Sequence, residues 1–150
     1  MEAESYSNQA IADFIHQTFV PLEAHIKEHP AWFKRFEVLW TPTILVMDSD
    51  AVERYRIEGY LPKDWFQAHL EMARARIEFM KKKFADAEKM YAGVTERHAD
   101  TGVAAEAIYW RAVCKYKATN DHTVLGAAAE KLSQKYPGDE WTLKSGPWAH

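Results

Sequence analysis

Thr43-Ile44-Leu45-Val46-Met47 is a short apolar run, entered through Trp40-Thr41-Pro42 and left through Asp48-Ser49-Asp50-Ala51. A run of this length, bounded by a proline and a turn, has the pattern of a strand covered on both faces. Asp48 to Ala51 has turn composition. Beyond it Tyr55, Ile57 and Gly59 alternate with Arg54, Arg56 and Glu58, as in a half-buried strand. Glu53 to Tyr60 is therefore expected to pair antiparallel with Thr43–Met47 if the turn closes a hairpin.

The segments before this pair are mixed. Asn8 can cap a helix that carries Ile11, Phe14 and Ile15 at helical spacing. Phe19 to Ile26 is predicted to be a strand, although Pro21 makes it a poor central one. His29-Pro30 starts a second helix, with proline in the first helical position and Trp32, Phe33 and Phe36 on its apolar side.

After the pair the pattern becomes helical. Pro62 opens a long helix in which Phe66, Leu70, Ala73, Ile77 and Met80 form one stripe. A second helix carries Ala87, Tyr91 and Val94, a third runs from about 103 to 117, and a fourth from about 123 to 136. The short loops between them favour antiparallel neighbours. Tyr136-Pro137-Gly138-Asp139 is a stop signal, after which Trp148 either frays or folds back. Composition shifts near residue 80, yet the Pro62 helix runs through that point without a linker, so the two parts should be rigidly joined. The expected units are 1–80, a helical tail over 81–140 that shares the Pro62 helix, and an extension over 141–150.

Composition excludes several functions. With 47% apolar and 27% charged residues in 150, the chain is ordinary globular material. A net charge of −3 offers no electrostatic case for nucleic acid. No apolar run approaches a membrane span, and no signal peptide is visible, so the default compartment is cytoplasmic. Lys81-Lys82-Lys83 reads as a solvated helix end that complements the dipole. One cysteine, Cys114, excludes an intrachain disulfide and any Cys-x-x-Cys or zinc ribbon.

Four segments carry a resemblance when taken together. They are Phe19-Val20-Pro21-Leu22, Trp40-Thr41-Pro42-Thr43-Ile44-Leu45, Asp48-Ser49-Asp50, and Arg56-Ile57-Glu58-Gly59-Tyr60-Leu61-Pro62. As a set they resemble a thioredoxin-like domain over about residues 1–80. The tail is similar to tetratricopeptide repeats, with Ala75, Phe84, Ala87, Tyr91 and Val94 at matching positions and a more divergent unit from Ala105 to Tyr136. The resemblance implies an α/β fold (α+β as truncated): a partial thioredoxin-like sheet of about three strands with flanking helices, then an antiparallel helical tail.

It also implies a cis Thr41-Pro42 bond and a peptide-binding role for Trp40, Thr41 and Pro42, in which the backbone of Thr41 pairs with an extended substrate. The alternative is a structural turn kept after the chemistry left. Trp40 reads either as an exposed peptide-contact aromatic or as core, and core is the favoured reading. In such domains a strand and a Cys-x-x-Cys pair precede the segment that Met1-Glu2-Ala3-Glu4-Ser5-Tyr6 resembles. The missing strand lies between those matching Phe19–Ile26 and Thr43–Met47, so its loss leaves backbone groups without partners. Met1 is read as an internal methionine of a longer protein. The other outcomes are direct pairing of the two remaining strands, or an interface that fills the gap. Ala51 stands where relatives often carry glycine, so the turn is expected to be strained or of another type.

Other candidates favour plain readings. Cys114 is expected to pack behind Trp110 as an inert hydrophobe, with a catalytic thiolate as the less favoured reading. The seven histidines form no metal motif, and Asp48, Asp50 and Glu53 lack EF-hand spacing. No cofactor or metal is expected. Trp32, Trp65, Trp110, Trp141 and Trp148 are expected mostly in the core. The expected function is a protein of thiol–disulfide exchange ancestry, redox-inactive and not an enzyme as this chain, but a thiol–disulfide oxidoreductase if a longer form carries the Cys-x-x-Cys pair. The alternatives are a peptide- or protein-binding module, with a protein or peptide partner and neither nucleic acid nor membrane, or a homodimer formed through an exposed sheet edge.

Overall fold

The computed structural model describes residues 7–150, so the segment Met1–Tyr6 lies outside the described residues. The first helix, α1 (Gln9–Thr18), starts where Asn8 leaves the extended region and its Oδ1 accepts from the N–H groups of Ala10 and Ile11 at 3.1 and 3.3 Å. Only Ile11 of this helix is fully buried. Helix α2 (Pro30–Arg35) has Pro30 in its first turn, where a missing N–H costs nothing.

Between them the predicted strand Phe19–Ile26 does not form. The segment is irregular, and Val20, Leu22 and Ile26 are 97%, 78% and 58% exposed. A strand is stable only beside another strand, and Pro21 has no N–H to offer one. The expectation of about three strands is corrected to two among the described residues.

Strands β1 (Thr43–Met47) and β2 (Glu53–Glu58) pair antiparallel, Ile44 opposite Ile57 and Val46 opposite Tyr55, with a bulge between Val46 and Met47. The turn carries Ala51 at φ 58°, the left-handed region that favours glycine. Coverage of β1 on both faces is corrected too: only Val46 is fully buried. Ile44, Val46, Tyr55 and Ile57 share one face, and that face packs on α1 and on the next helix.

That helix, α3 (Lys63–Met80), has two apolar faces. Phe66, Leu70 and Ala73 are buried with Ile11, Val46 and Ile57, and Ile77 packs beside them. Met80, placed by sequence on the same stripe, is 47% exposed at the helix end. Ala68, Met72 and Ala75 form a second stripe that meets Ala87, Tyr91, Val94, Ala107 and Cys114. Those residues lie on α4 (Phe84–Arg97) and α5 (Ala104–Thr119). Alanines at these contacts let the helices approach closely while Tyr91 fills the gap between them.

Helix α6 (Thr123–Lys135) packs Ala128 and Leu132 on Ala105, Ile108 and Ala112 of α5. Gly138, at φ 80°, turns the chain into α7 (Glu140–Ser145), and a final 3-10 turn spans Gly146–Ala149. The end folds back: Trp148 stacks on Tyr109 with ring centroids 4.3 Å apart. Among the described residues no helix is long and apolar enough to cross a membrane.

Candidate peptide-binding site

The β1 strand is entered through a loop that leaves α2 at Glu37, whose φ is +50°. The Thr41-Pro42 peptide is cis. On one side the turn is tied to the hairpin, since the Gly59 N–H donates to the Pro42 carbonyl at 2.8 Å. The Thr43 hydroxyl donates to the Trp40 carbonyl at 2.7 Å. Among the described residues no hydrogen bond engages the backbone of Thr41.

Because Pro42 and Gly59 face each other across a bonded pair, the ladder alternates from there. The N–H and C=O of Thr43 and Leu45 therefore point away from β2. Among the described residues no strand pairs with that edge.

Trp40 is not core, contrary to the reading favoured from sequence: it is 72% exposed, and Leu39 before it is 85% exposed. The reason is local. The loop enters β1 at the strand's free edge, where among the described residues no further strand pairs. Trp32 and Trp65 are also partly exposed, at 39% each. Trp110, Trp141 and Trp148 instead gather around Tyr109, with Trp110 also meeting Phe79 edge-on at 5.5 Å.

Arg56 carries no site role in the sequence reading, yet it anchors this loop. Its Nη2 donates to the Phe36 carbonyl and its Nη1 to the Glu37 carbonyl at 3.3 Å. Glu53 receives the same guanidinium at 2.6 and 2.9 Å, and Glu58 at 3.4 Å. Carbonyls at a helix C-terminus lack intrahelical partners, and a guanidinium fork satisfies two at once. Phe33, Val38 and Leu39 line an open groove beside it, together with Lys34, Glu37 and Glu58.

The acidic turn is occupied by its own hydrogen bonds. Asp48 accepts from the Asp50 and Val52 N–H groups at 2.9 and 3.1 Å and from Arg54 Nε at 2.8 Å. The Val52 N–H and Arg54 hold its carboxyl below the usual aspartate range. Among the described residues no three His, Cys, Asp or Glu side chains gather where a metal ion could sit.

Cys114 is fully buried in the α3–α4–α5 core, against which Trp110 also packs. Burial, helped by Glu88, pushes its thiol up to about 12, so a thiolate at neutral pH is strongly disfavoured. Two polar contacts in the same region were invisible to sequence reasoning. Tyr55 Oη and His69 Nδ1 meet at 2.8 Å and link the hairpin to α3. Glu71 of α3, only 7% exposed, receives Arg97 at 2.7 Å and lies 3.1 Å from His98 Nε2.

Residues 1–74 match the family model of a thioredoxin-like domain. No curated protein and no solved structure matches the chain. The matched stretch takes in α1, α2, the hairpin and the first two-thirds of α3, so it ends inside the helix that both parts share. The cis-proline turn thus lies within the thioredoxin-like part, and the buried thiol lies outside it.

Proposed function

We propose that this chain is a thioredoxin-like protein of thiol–disulfide exchange ancestry whose own residues bind an extended peptide rather than exchange disulfides. One observation carries the reading. Leu39 and Trp40 stand exposed beside a Thr41 backbone without a described partner, at the open edge of β1. An extended segment could pair its backbone with Thr41 and the edge, while its side chains pack on the Trp40 ring. The single cysteine, buried Cys114, supports the redox-inactive part of the reading.

The test is titration of a fluorescein-labelled peptide of alternating leucine and serine, followed by anisotropy. Saturable binding, weakened about tenfold in Trp40→Ala, is expected; a loss of that size is typical of a contact aromatic. Binding unchanged by that substitution would remove the site. A disulfide-reduction assay should show no turnover, and turnover abolished by Cys114→Ser would overturn the inactive assignment.

The tail is proposed to be tetratricopeptide-like. Ala87 at 0% exposure seats against α3 while Tyr91 fills the space between helices, the arrangement that such repeats use. On this reading the boundary between the two units falls within 63–80, and the tail leans on the thioredoxin-like part because two units are too few to stand alone. The open β1 edge favours a second reading, in which a second copy of the chain pairs there. A monomer at every concentration in gel filtration would exclude it.

A further inference from the structure

We infer that Arg56 is a positioning residue for the Trp40-Thr41-Pro42 site: its guanidinium, forked onto the Phe36 and Glu37 carbonyls and held by Glu53, sets where the loop begins its crossing to β1. The inference rests on the peptide-binding reading and deepens it. Two ties bracket residues 38–42. Arg56 holds the end nearest α2, and the Gly59 N–H holds Pro42 at the other. Between them Leu39, Trp40 and Thr41 have little else to fix them to the fold. Leu39 and Trp40 are mostly in solvent, and the Thr43 hydroxyl on the Trp40 carbonyl is a contact internal to the turn.

The Arg56 side chain is 25% exposed and lies on β2, two residues before the partner of Thr43. Its bonds thus cross from the hairpin to the helix and reach the loop from outside it. Among the described residues the Arg56 guanidinium bonds to Phe36, Glu37, Glu53 and Glu58 and not to Trp40, Thr41 or Pro42. Glu53 and Glu58 fix its direction, because both carboxylates lie on the same strand and leave the remaining donors aimed at α2. Lysine could replace the charge but not the fork, so it should restore only part of the function.

The experiment compares Arg56→Gln, Arg56→Lys and Glu53→Gln with the parent chain. Amide exchange is read at Val38, whose N–H donates to Phe33, and at Gly59, whose N–H donates to Pro42. Ala87 and Ala107, both hydrogen-bonded in the tail, serve as references. Arg56→Gln should speed exchange about tenfold at Val38 and Gly59, leave the tail amides unchanged, and weaken the leucine–serine peptide by a similar factor. Arg56→Lys should fall between the two, and Glu53→Gln should show a smaller change in the same direction.

Equal acceleration in loop and tail would mean that Arg56 merely stabilises the whole fold, and the inference would fail. Unchanged exchange at Val38 and Gly59 would sink it as well. Should Arg56→Gln not fold, Arg56→Lys and Glu53→Gln carry the same comparison. If the parent chain binds no peptide at all, the peptide-binding reading falls, while the exchange data still decide whether Arg56 places the loop.

Discussion

The two faces of α3 look onto different surroundings. On the tail side Ala68, Met72, Ala75, Ala87, Tyr91, Val94 and Cys114 are all essentially shielded from solvent. On the hairpin side Val20, Leu22, Ile26, Trp32, Leu39 and Trp40 remain well exposed, although they are as apolar as anything in the tail. Helices satisfy their own backbone bonds, so a helix needs only one apolar stripe and a neighbour to be covered. A sheet satisfies its backbone only through adjacent strands, and one two-stranded hairpin leaves an edge and the residues beside it open. The lesson is that the open region is where binding is to be sought, and the closed region is what keeps it in shape.

The contrast can be broken hardest at Tyr91. Tyr91→Ala should cost about 3–5 kcal/mol, as removal of a large buried aromatic does. Because α3 belongs to both cores, a denaturant melt should show the hairpin signal collapsing together with the tail. Separate transitions would contradict the rigid union of the two parts.

Glu71 comes next. Burial works to raise its carboxyl, but hydrogen bonds from Arg97 and His98 outweigh it and hold it below the usual glutamate range. The unfolded chain therefore takes up this proton first. The stabilisation is complete above the ordinary carboxylate range and is lost as pH falls through the lower native value. Burial holds His69 below the usual histidine range in the same sense, so its contribution begins to fade earlier, below about pH 6.5. Thermal melts from neutral to acid pH should decline in two stages. In Glu71→Ala the later stage should shrink, and stability at pH 7 should fall by about 1.5–3 kcal/mol. An unchanged acid limb would show that the ion pair contributes nothing.

Two smaller substitutions sharpen the picture on the hairpin side. Ala51→Gly should stabilise the fold by about 0.5–1 kcal/mol, since glycine carries no penalty at φ 58°; a loss on chemical denaturation would contradict the turn geometry. Trp40→Ala should shift stability by less than about 0.5 kcal/mol, because its ring is mostly in solvent. A larger loss would mean that Trp40 is packed, and the surface assigned to peptide would be structural instead.

The helices were legible because their information is local. Asn8 before an apolar stripe, Pro30 at a first turn, and Pro137-Gly138 after Tyr136 each mark an end within a few residues. The hairpin was legible for the same reason, through alternation and an acidic turn. What misled was Phe19–Ile26, where strand-like composition met no neighbour to pair with among the described residues. The second stripe of α3 went unread because alanines carry little hydrophobic signal, although their small size is what allows the tail to pack on them.

By itself, the order of residues determined the helices, the hairpin and the place of the Thr41-Pro42 turn, because these depend on periodicity, caps and turn chemistry between neighbours in the chain. Only the tertiary structure decided that Trp40 stands in solvent, that Arg56 reaches back twenty residues to the Phe36 carbonyl, and that Cys114 is buried in the core between α3, α4 and α5. Exposure and long-range hydrogen bonds depend on which distant elements come to lie alongside. A strand edge that finds no partner changes them without altering any local pattern.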